Sequence, residues 1–288
     1  MSHITILYYK YIDLIDVESI YKNQKVLCQS LSLKGRVIVA KEGINGTLEG
    51  SKQNIDRYII ETQRILEFKG IIFKKSNTDG KSFPKLSIKI RDEIVTTNLE
   101  LSDKLGPHRN LTGKYLDSRE LHEWFQVGKK FYIVDIRNDY EHAVGHFYNS
   151  VLLDNLKHFR DLPKILPEIQ DLINETVVTV CTGGVRCEKA SGFLIHNGFK
   201  DVYQLQGGII TYMEQFPNQD FLGKLYVFDK RVVMGLHTSS ADHQIIGKCV
   251  KCRVQSESLT DYYDNGVRKH QIVCSNCISL YKLNKKSF

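Results

Sequence analysis

The chain has 288 residues, which is too many for one ordinary core, so we expect two or three domains. The composition, 42% hydrophobic and 25% charged, is that of a soluble protein, and no run approaches the roughly 20 apolar residues of a membrane span. The first residues, Met1 to Thr5, lack the basic start and apolar stretch of a signal peptide, which predicts a cytoplasmic location. In a reducing compartment, seven cysteines indicate metal binding or catalysis rather than disulfides.

The net charge of +7 is unevenly distributed along the chain. Residues 1–110 contain 18 Lys and Arg against 13 Asp and Glu, and residues 221–288 contain 11 against 5. Residues 111–220 are acidic, with 11 basic residues against 15 acidic ones. This pattern predicts that the basic flanks hold a large anion, such as a nucleic acid, while the centre carries the chemistry. The alternative is that the flanks are merely solvated surfaces.

Residues 1–97 predict an α+β domain of the ferredoxin-like, or acylphosphatase-like, type. Strands are predicted over residues 4–11, 36–40, 71–75 and 85–91, and a further strand is predicted to start at residue 47. Asp16 and Ser51 are the predicted caps of two helices that reach about Leu31 and Phe68. The resulting order β-α-β-β-α-β is that of the split βαβ unit.

The stretch from Gly43 to Gly46 has the composition of a turn between the second and third strands. Lys41 and Asn45 in this loop are candidates for contact with RNA phosphate, and a turn-forming Asn is the alternative. No catalytic set is evident in this domain. Residues 98–113 are polar, contain a Gly-Pro pair and are predicted to form a linker.

Residues 114–219 predict a parallel α/β domain. Strands are predicted over residues 131–134, 151–153, 176–180 and 202–205, and helices over 119–126, 162–173 and 187–197. Ser118 is the predicted cap of the first helix, and Gly207-Gly208 opens a fourth. Strands that alternate with helices imply a doubly wound sheet, whose ligands bind at the carboxyl ends of its strands. Asp135 and Cys181 both fall at such ends.

The loop after the strand at 176–180 is the strongest candidate site. Cys181 stands between that strand and a glycine pair that precedes a helix. Backbone N–H groups at a helix N-terminus lack intrahelical partners, so they favour an anion and stabilise a thiolate, the nucleophilic form of cysteine. Arg186 adds a positive charge, and the alternative is a buried structural cysteine. The other loop residues expected to bind substrate are Thr182, Gly183, Gly184, Val185 and Cys187.

Two further pairs precede this loop. Asp135 and Arg137 are expected to support the site by tying loops together through ion pairs and caps, rather than to react. His142 and His146 have the four-residue spacing of zinc ligands on a helix, but Gly145 weakens a helix there. A hydrogen-bonded structural His146 is therefore the preferred interpretation.

Residues 220–288 form a basic, cysteine-rich segment. Its two C-x-x-C pairs predict a structural Zn²⁺ site of the zinc-ribbon type, with a redox dithiol pair as the alternative. The four predicted ligands are Cys249, Cys252, Cys274 and Cys277. A hairpin is predicted over residues 259–263 and 271–273, with its turn at 264–266. Candidates for RNA contact are Lys248, Lys251 and Arg253, and the segment carries further positive charge at Arg268, Lys269, Lys282, Lys285 and Lys286. The alternative is that this segment is only a scaffold.

The central residues resemble a rhodanese-like domain. The resemblance lies in Asp135-Ile136-Arg137, Glu141, Gly145-His146 and the loop Cys181-Thr182-Gly183-Gly184-Val185-Arg186-Cys187. It implies that Cys181 is the reactive residue, which in that superfamily can form a persulfide. Four residues separate Cys181 from Arg186, whereas related phosphatases have five, so the resemblance favours sulfur chemistry over phosphate chemistry.

The resemblance extends over nearly the whole chain. Lys41-Glu42-Gly43-Ile44-Asn45-Gly46-Thr47, the central loop and the terminal C-x-x-C pairs together look like the oxygen-dependent tRNA uridine hydroxylases. That family implies hydroxylation of the wobble uridine at C5 with molecular oxygen as co-substrate, and the anticodon stem-loop of tRNA as partner. No flavin, haem, nicotinamide or iron-ligand motif is found in the sequence.

Three functions remain open at this point. The first is the RNA-modifying oxygenase, in which the Cys181 thiolate adds to C6 of uracil or an oxidised Cys181 sulfur carries the oxygen. The second is a sulfurtransferase that passes sulfur from a Cys181 persulfide, with Cys187 as a resolving thiol. The third is a non-catalytic module in which the basic domains bind RNA.

Overall fold

The structure, a computed structural model, describes residues 2–153, 155–264 and 267–280, without the side chains of 263–268. The chain divides into two compact units, residues 1–112 and 113–288. Within the described ranges, no helix is both long enough and apolar enough to cross a bilayer.

The first unit contains one antiparallel sheet with an added parallel edge strand. Its elements are β1 (His3–Tyr11), α1 (Val17–Ser30), β2 (Lys34–Ala40), β3 (Gly43–Ser51), α2 (Lys52–Gln63), β4 (Phe73–Thr78) and β5 (Leu86–Ile90). The strand order is β4-β1-β3-β2-β5, with only β5 parallel to its neighbour. The predicted β-α-β-β-α-β order is confirmed, and β5 extends that sheet.

The two predicted helix caps of the first unit are present. Asp16 accepts a hydrogen bond from the Ser19 amide at 2.9 Å, and Ser51 accepts one from the Asn54 amide at 3.3 Å. The second helix ends at Gln63, short of the predicted Phe68, which lies in a separate 3₁₀ turn. Residues 98–112, the predicted linker region, belong to this unit.

The predicted turn at Gly43 to Gly46 is wrong, because these residues form the start of β3. The hairpin instead turns at residues 41–42, where Ala40 pairs with Gly43. The glycines allow close packing: a Cβ on Gly46 would lie 2.3 Å from the ring of Tyr8. Glycine thus serves here to admit a neighbouring side chain rather than to reverse the chain.

The second unit begins as an alternation of strands and helices. Its first elements are β6 (Lys114–Leu116), α3 (Ser118–Gln126), β7 (Tyr132–Asp135), α4 (Asp139–His142), β8 (Gly145–Phe147), β9 (Val151–Leu152), α5 (Leu166–Ile169), β10 (Thr176–Val180), α6 (Val185–His196), β11 (Asp201–Leu205) and α7 (Gly208–Gln215). The parallel sheet has the order β6-β11-β10-β7-β9. Val180 of β10 pairs with Asp135 of β7, so the two strands end side by side.

Two local predictions in this unit are wrong. The N-cap of α3 is Asp117, whose carboxylate accepts the amides of Arg119 and Glu120, while Ser118 is the first helical residue. The predicted long helix at 162–173 is a short α5 between two 3₁₀ turns. Pro163 lies inside the first of these turns, and a proline lacks the N–H that a continuous helix needs.

The rest of the second unit packs directly on the parallel domain. Its elements are β12 (Phe221–Gly223), β13 (Leu225–Tyr226), β14 (Val233–Met234), β15 (Leu259–Asp264), β16 (Val267–Ile272) and α8 (Ser275–Leu280). Phe221 and Leu225 join the core of the parallel domain, and β12 pairs with β8. The predicted hairpin is confirmed as β15–β16; residues 265–266 of its turn and Lys282, Lys285 and Lys286 lie outside the described residues.

Candidate active site

The Cys181 loop connects β10 to α6. Four buried β-strand residues precede Cys181, and Gly184, with a φ of 98°, is the N-cap of α6. Only glycine adopts this left-handed conformation without strain. The turn directs the Gly184 N–H at the Cys181 sulfur, with a nitrogen-to-Sγ distance of 3.1 Å. The predicted cradle of backbone donors around the sulfur is therefore present in the structure.

The surroundings of Cys181 favour its thiolate. Burial, the largest effect, raises the pKa of this thiol. A hydrogen bond from Cys187, the positive charge of Arg186 and the backbone N–H groups of both residues outweigh burial and lower the pKa to about 5. Burial and the neighbouring Cys181 raise the pKa of Cys187 well above its ordinary value. The loop therefore favours a thiolate at Cys181 over one at Cys187.

Arg186 is held by the carboxylate of Glu141, one of the residues that carry the resemblance to a rhodanese-like domain. Its guanidinium donates two hydrogen bonds to Glu141, at 2.6 and 2.8 Å, and both side chains are buried. The hydroxyl of Thr182 donates to the same carboxylate at 3.4 Å. Glu141 also accepts the Asn138 amide at 3.1 Å within the capping box of α4, so its two bonds to Arg186 tie α4 to the loop. The charge of Arg186 is therefore compensated and fixed in position.

The N-terminus of α7 holds the other side of the loop. The amide of Ile209 donates to the Cys181 carbonyl at 2.9 Å, and that of Ile210 to the Thr182 carbonyl at 3.1 Å. Gly208, with a φ of 73°, leaves no room for a side chain, because a Cβ would lie 2.6 Å from the Gly184 nitrogen. The Gly-Gly pair that was predicted to open a helix therefore also lets that helix contact the loop.

Asp135 and Arg137 form a second buried ion pair beside the loop. The Arg137 guanidinium donates to Asp135 at 2.9 and 2.6 Å and to the Gly145 carbonyl at 2.6 Å. These contacts connect the end of β7 to β8. Nδ1 of His146 lies 2.9 Å from the His142 carbonyl oxygen, as expected for a structural histidine.

Aromatic side chains from residues beyond the parallel domain lie against this site. The Arg186 guanidinium carbon is 5.5 Å from the ring centroid of Phe228, which is 45% exposed. Tyr226 packs edge-on against Phe228 at 4.9 Å, and Tyr140 of α4 lies 5.2 Å from Tyr226. No sequence motif indicated these contacts, since they depend on tertiary packing.

Cys181 itself has no exposed surface. A nucleotide base can therefore contact its sulfur only after some of the covering groups move. The loop is thus a thiolate site whose sulfur is covered by the surrounding residues.

The four tail cysteines come together as predicted. Their sulfur atoms all lie within 4.8 Å of one another, and the sulfurs of Cys252 and Cys274 are 3.6 Å apart. The amide of Cys274 donates to the Cys249 sulfur at 3.4 Å. Four thiolates on a tetrahedral Zn²⁺ would be roughly 3.8 Å apart, given Zn–S bonds of about 2.3 Å. The cluster therefore fits that ion.

The predicted RNA-contact residues fall into two groups. Lys248, Lys251 and Arg253 are exposed around the first C-x-x-C pair. Lys41, in the first unit, is exposed at the hairpin turn. Asn45 lies within β3 rather than in a turn, and its side-chain amide donates to the Ile94 carbonyl at 3.0 Å.

Comparison with known proteins covers both units. Three family models match in succession: the UPF0176 acylphosphatase like domain at residues 3–94, the Rhodanese-like domain at 117–215 and the Rhodanase C-terminal at 222–284. Among solved structures, a rhodanese-like domain protein from Staphylococcus aureus is 30% identical over 34% of this chain and 90% of its own, with a TM-score of 0.30.

Curated relatives match almost the full length of the chain. A tRNA uridine(34) hydroxylase of Aster yellows witches'-broom phytoplasma is 42% identical over 96% of this chain and 84% of its own length. The protein of the same name from Bacillus licheniformis is 39% identical over 94% of this chain and 79% of its own length. On this similarity the chain belongs to the tRNA uridine(34) hydroxylase family.

Proposed function

We propose that this chain hydroxylates the wobble uridine of tRNA at C5 and that the Cys181 thiolate is its reactive group. The observation that carries the proposal is the position of the Cys181 sulfur at the head of a strand–loop–helix turn, where it accepts the Gly184 N–H at 3.1 Å and where the buried charge of Arg186 lowers its pKa. It occurs in a chain whose relatives are named tRNA uridine(34) hydroxylase. Because tRNA is the substrate, we also propose a cytoplasmic location.

The net reaction replaces the C5–H bond of uracil by C5–OH. One oxygen atom of O₂ enters the base and the other leaves as water, so the reaction consumes two protons and two electrons. We assign these electrons to an external two-electron reductant of the thiol class.

Cys181 can activate C5 by adding to the neighbouring carbon. The thiolate forms a bond to C6, and the displaced electron pair moves through C5 to the O4 carbonyl, which makes C5 nucleophilic. C5 then takes one oxygen from a peroxide, formed when the thiol reductant passes two electrons to O₂, and the second oxygen leaves as water. C5 loses its proton and expels the thiolate as the double bond reforms. An oxidised Cys181 sulfur that carries the oxygen itself is the second route to the same product.

Because the Cys181 sulfur is buried in its loop, the uracil must leave the base stack of the RNA to reach it. Enzymes that act on a base bring it out of the stack, and an anticodon loop offers unpaired bases for this. We propose that the exposed Lys248, Lys251 and Arg253 hold the phosphates of the anticodon stem-loop. For the first unit, we propose separately that the exposed Lys41 contacts RNA phosphate.

We propose that Cys249, Cys252, Cys274 and Cys277 bind a structural Zn²⁺ in a zinc-ribbon-like segment. The ion would supply stability to a hairpin with little core of its own. In functional terms, we divide the chain into an acylphosphatase-like domain at 1–97, a linker at 98–113, a catalytic rhodanese-like domain at 114–219 and a basic tail at 220–288.

A rhodanese-type sulfurtransferase is the second candidate. It is favoured by the pairing of a thiolate at Cys181 with a protonated Cys187 in one loop. Sulfur transfer from thiosulfate to cyanide, without a modified nucleoside, would support it in place of hydroxylation.

The decisive experiment compares tRNA nucleosides by mass in cells that lack the protein and in complemented cells. Wild-type protein is expected to restore 5-hydroxyuridine, while Cys181→Ser is expected to restore none. Cys28→Ala is the matched control, because this buried cysteine lies in the first unit. Purified protein under ¹⁸O₂ is expected to place the label in the base. Full activity of Cys181→Ser would exclude both chemical routes.

A further inference from the structure

Phe228 is one of several large apolar side chains of the second unit that stay exposed, and it is the one whose ring lies against Arg186 of the reactive loop. It follows β13 in the turn that connects β13 to β14, and 45% of its surface is exposed. Its neighbours Tyr226 and Val227 are buried. Burial of a Phe side chain is favourable, and this site forgoes part of that gain.

The turn that presents Phe228 is held firmly. The Val227 amide donates to the Val232 carbonyl at 2.9 Å, and the Val232 amide donates to the Asp229 carbonyl at 3.0 Å. Arg231 donates to the Asp229 carboxylate at 2.9 and 2.6 Å. Val232 has a φ of 63°, a costly conformation for a β-branched residue that is found where the surroundings impose it. The orientation of Phe228 is thus built into the turn.

Phe228 also lies one side chain from the reactive loop. Its ring contacts the guanidinium of Arg186, the charge of which stabilises the Cys181 thiolate. Tyr226 supports the ring edge-on, while nearly half of the Phe228 surface stays open. Lys230 in the same turn is exposed and adds positive charge for a phosphate.

We propose that Phe228 is a substrate-binding residue whose ring stacks on the wobble base after that base leaves the anticodon stack. Unstacked RNA bases are held in this way by aromatic side chains. The inference rests on the proposed function, since it takes the occupant to be the uracil ring that Cys181 attacks. It adds a base platform outside the parallel domain, supplied by the β13–β14 turn.

The test measures binding of an anticodon stem-loop that carries either uridine or an abasic nucleotide at the wobble position. Wild-type protein is expected to bind the abasic RNA roughly 5- to 150-fold more weakly, the range for one base–aromatic stack. Phe228→Leu is expected to bind the uridine RNA that much more weakly and to treat both RNAs alike. Phe228→Tyr keeps the ring and is expected to behave as wild type.

A merely structural role for Phe228 gives a different result. If Phe228 only positioned Arg186, Phe228→Leu would change the alkylation rate of Cys181 and would still bind the uridine RNA more tightly than the abasic RNA. That result overturns the proposal. A wild-type protein that binds both RNAs equally also overturns it. Loss of base discrimination in Phe228→Leu with an unchanged alkylation rate supports it. The binding assay needs no turnover. A protein that hydroxylates tRNA could therefore lack the stacking contact, and a protein that stacks on the base could lack hydroxylation, so the two proposals are tested separately.

Discussion

The guanidinium of Arg186 and the carboxylate of Glu141 are joined by two hydrogen bonds, of 2.6 and 2.8 Å, in the buried interior of the second unit. The pair connects α4 to α6 across 45 residues of sequence. Burial removes both charges from water, and the ion pair compensates for the lost hydration. Either charge buried alone would carry a large desolvation cost. This pairing fixes the positive charge beside Cys181 in one position.

Glu141→Gln is therefore expected to destabilise the protein strongly. The change leaves the buried Arg186 charge without a counter-ion, a loss of about 3–5 kcal/mol of unfolding free energy for such pairs. Urea unfolding followed by circular dichroism measures it. Glu175→Gln is the matched control, because Glu175 pairs with the largely exposed Lys130 and its loss should leave the urea midpoint almost unchanged. Equal effects of the two variants would contradict the prediction.

The reactivity of Cys181 is expected to depend on pH with a midpoint near 5. Because its pKa is lowered to about 5, the thiolate is already formed at pH 7. The reagent reaches the sulfur only after the covering groups move, so the measure is the rate relative to its own plateau at high pH, which falls only as the pH drops through about 5. Peptide mass spectrometry after treatment with iodoacetamide over pH 4–9 gives the rate at each cysteine. Cys28, whose pKa burial raises to about 12, serves as the unreactive internal reference.

Removal of both charges of the buried pair tests the cause of this shift. In Glu141→Gln combined with Arg186→Gln, no uncompensated charge remains, but the positive charge near the sulfur is gone. The alkylation midpoint of Cys181 is expected to move to higher pH. A midpoint that stayed near 5 would assign the shift to the hydrogen bonds of the loop alone.

The position of Cys181 was predictable from local sequence. β-Branched residues, a glycine pair and a helix start describe a strand–loop–helix unit without reference to distant residues. The proximity of Cys181 to Asp135 also followed, since parallel strands end at the same edge of a sheet. Local sequence propensity and sheet topology thus both placed Cys181 at the carboxyl end of the parallel sheet.

The partners of the loop were not predictable in the same way. The pairing of Glu141 with Arg186 and the contact of Phe228 with that guanidinium both depend on how distant segments pack. At Gly43 to Gly46, local composition was misleading: it is typical of a turn, but these residues form part of a strand. Glycine permits either a turn or a close contact, and only the surroundings, here the ring of Tyr8, decide between them.

Gly208→Ala is expected to disrupt the Cys181 loop. The new Cβ would lie 2.6–2.7 Å from backbone atoms of Gly184, Gly183 and Thr182, so α7 and the loop must separate. A displacement of about 1 Å at a reactive group can lower activity about a hundredfold. Gly128→Ala is the control, since Gly128 also has a positive φ of 65° but a Cβ there meets nothing within 4 Å. Comparable hydroxylation by both variants would contradict a role for the contact.

The tail cysteines are expected to hold one Zn²⁺ per chain. Apparent binding free energies of roughly 10–16 kcal/mol for such sites mean that the ion should survive purification and dialysis. Elemental analysis of untreated protein measures the stoichiometry, and Cys252→Ser should reduce it, while Cys28→Ala should not. Without the ion, the β15–β16 hairpin should become sensitive to limited proteolysis, a readout independent of hydroxylation. A metal-free protein with a Cys252–Cys274 disulfide would instead identify the cluster as a redox pair, since those two sulfurs lie 3.6 Å apart.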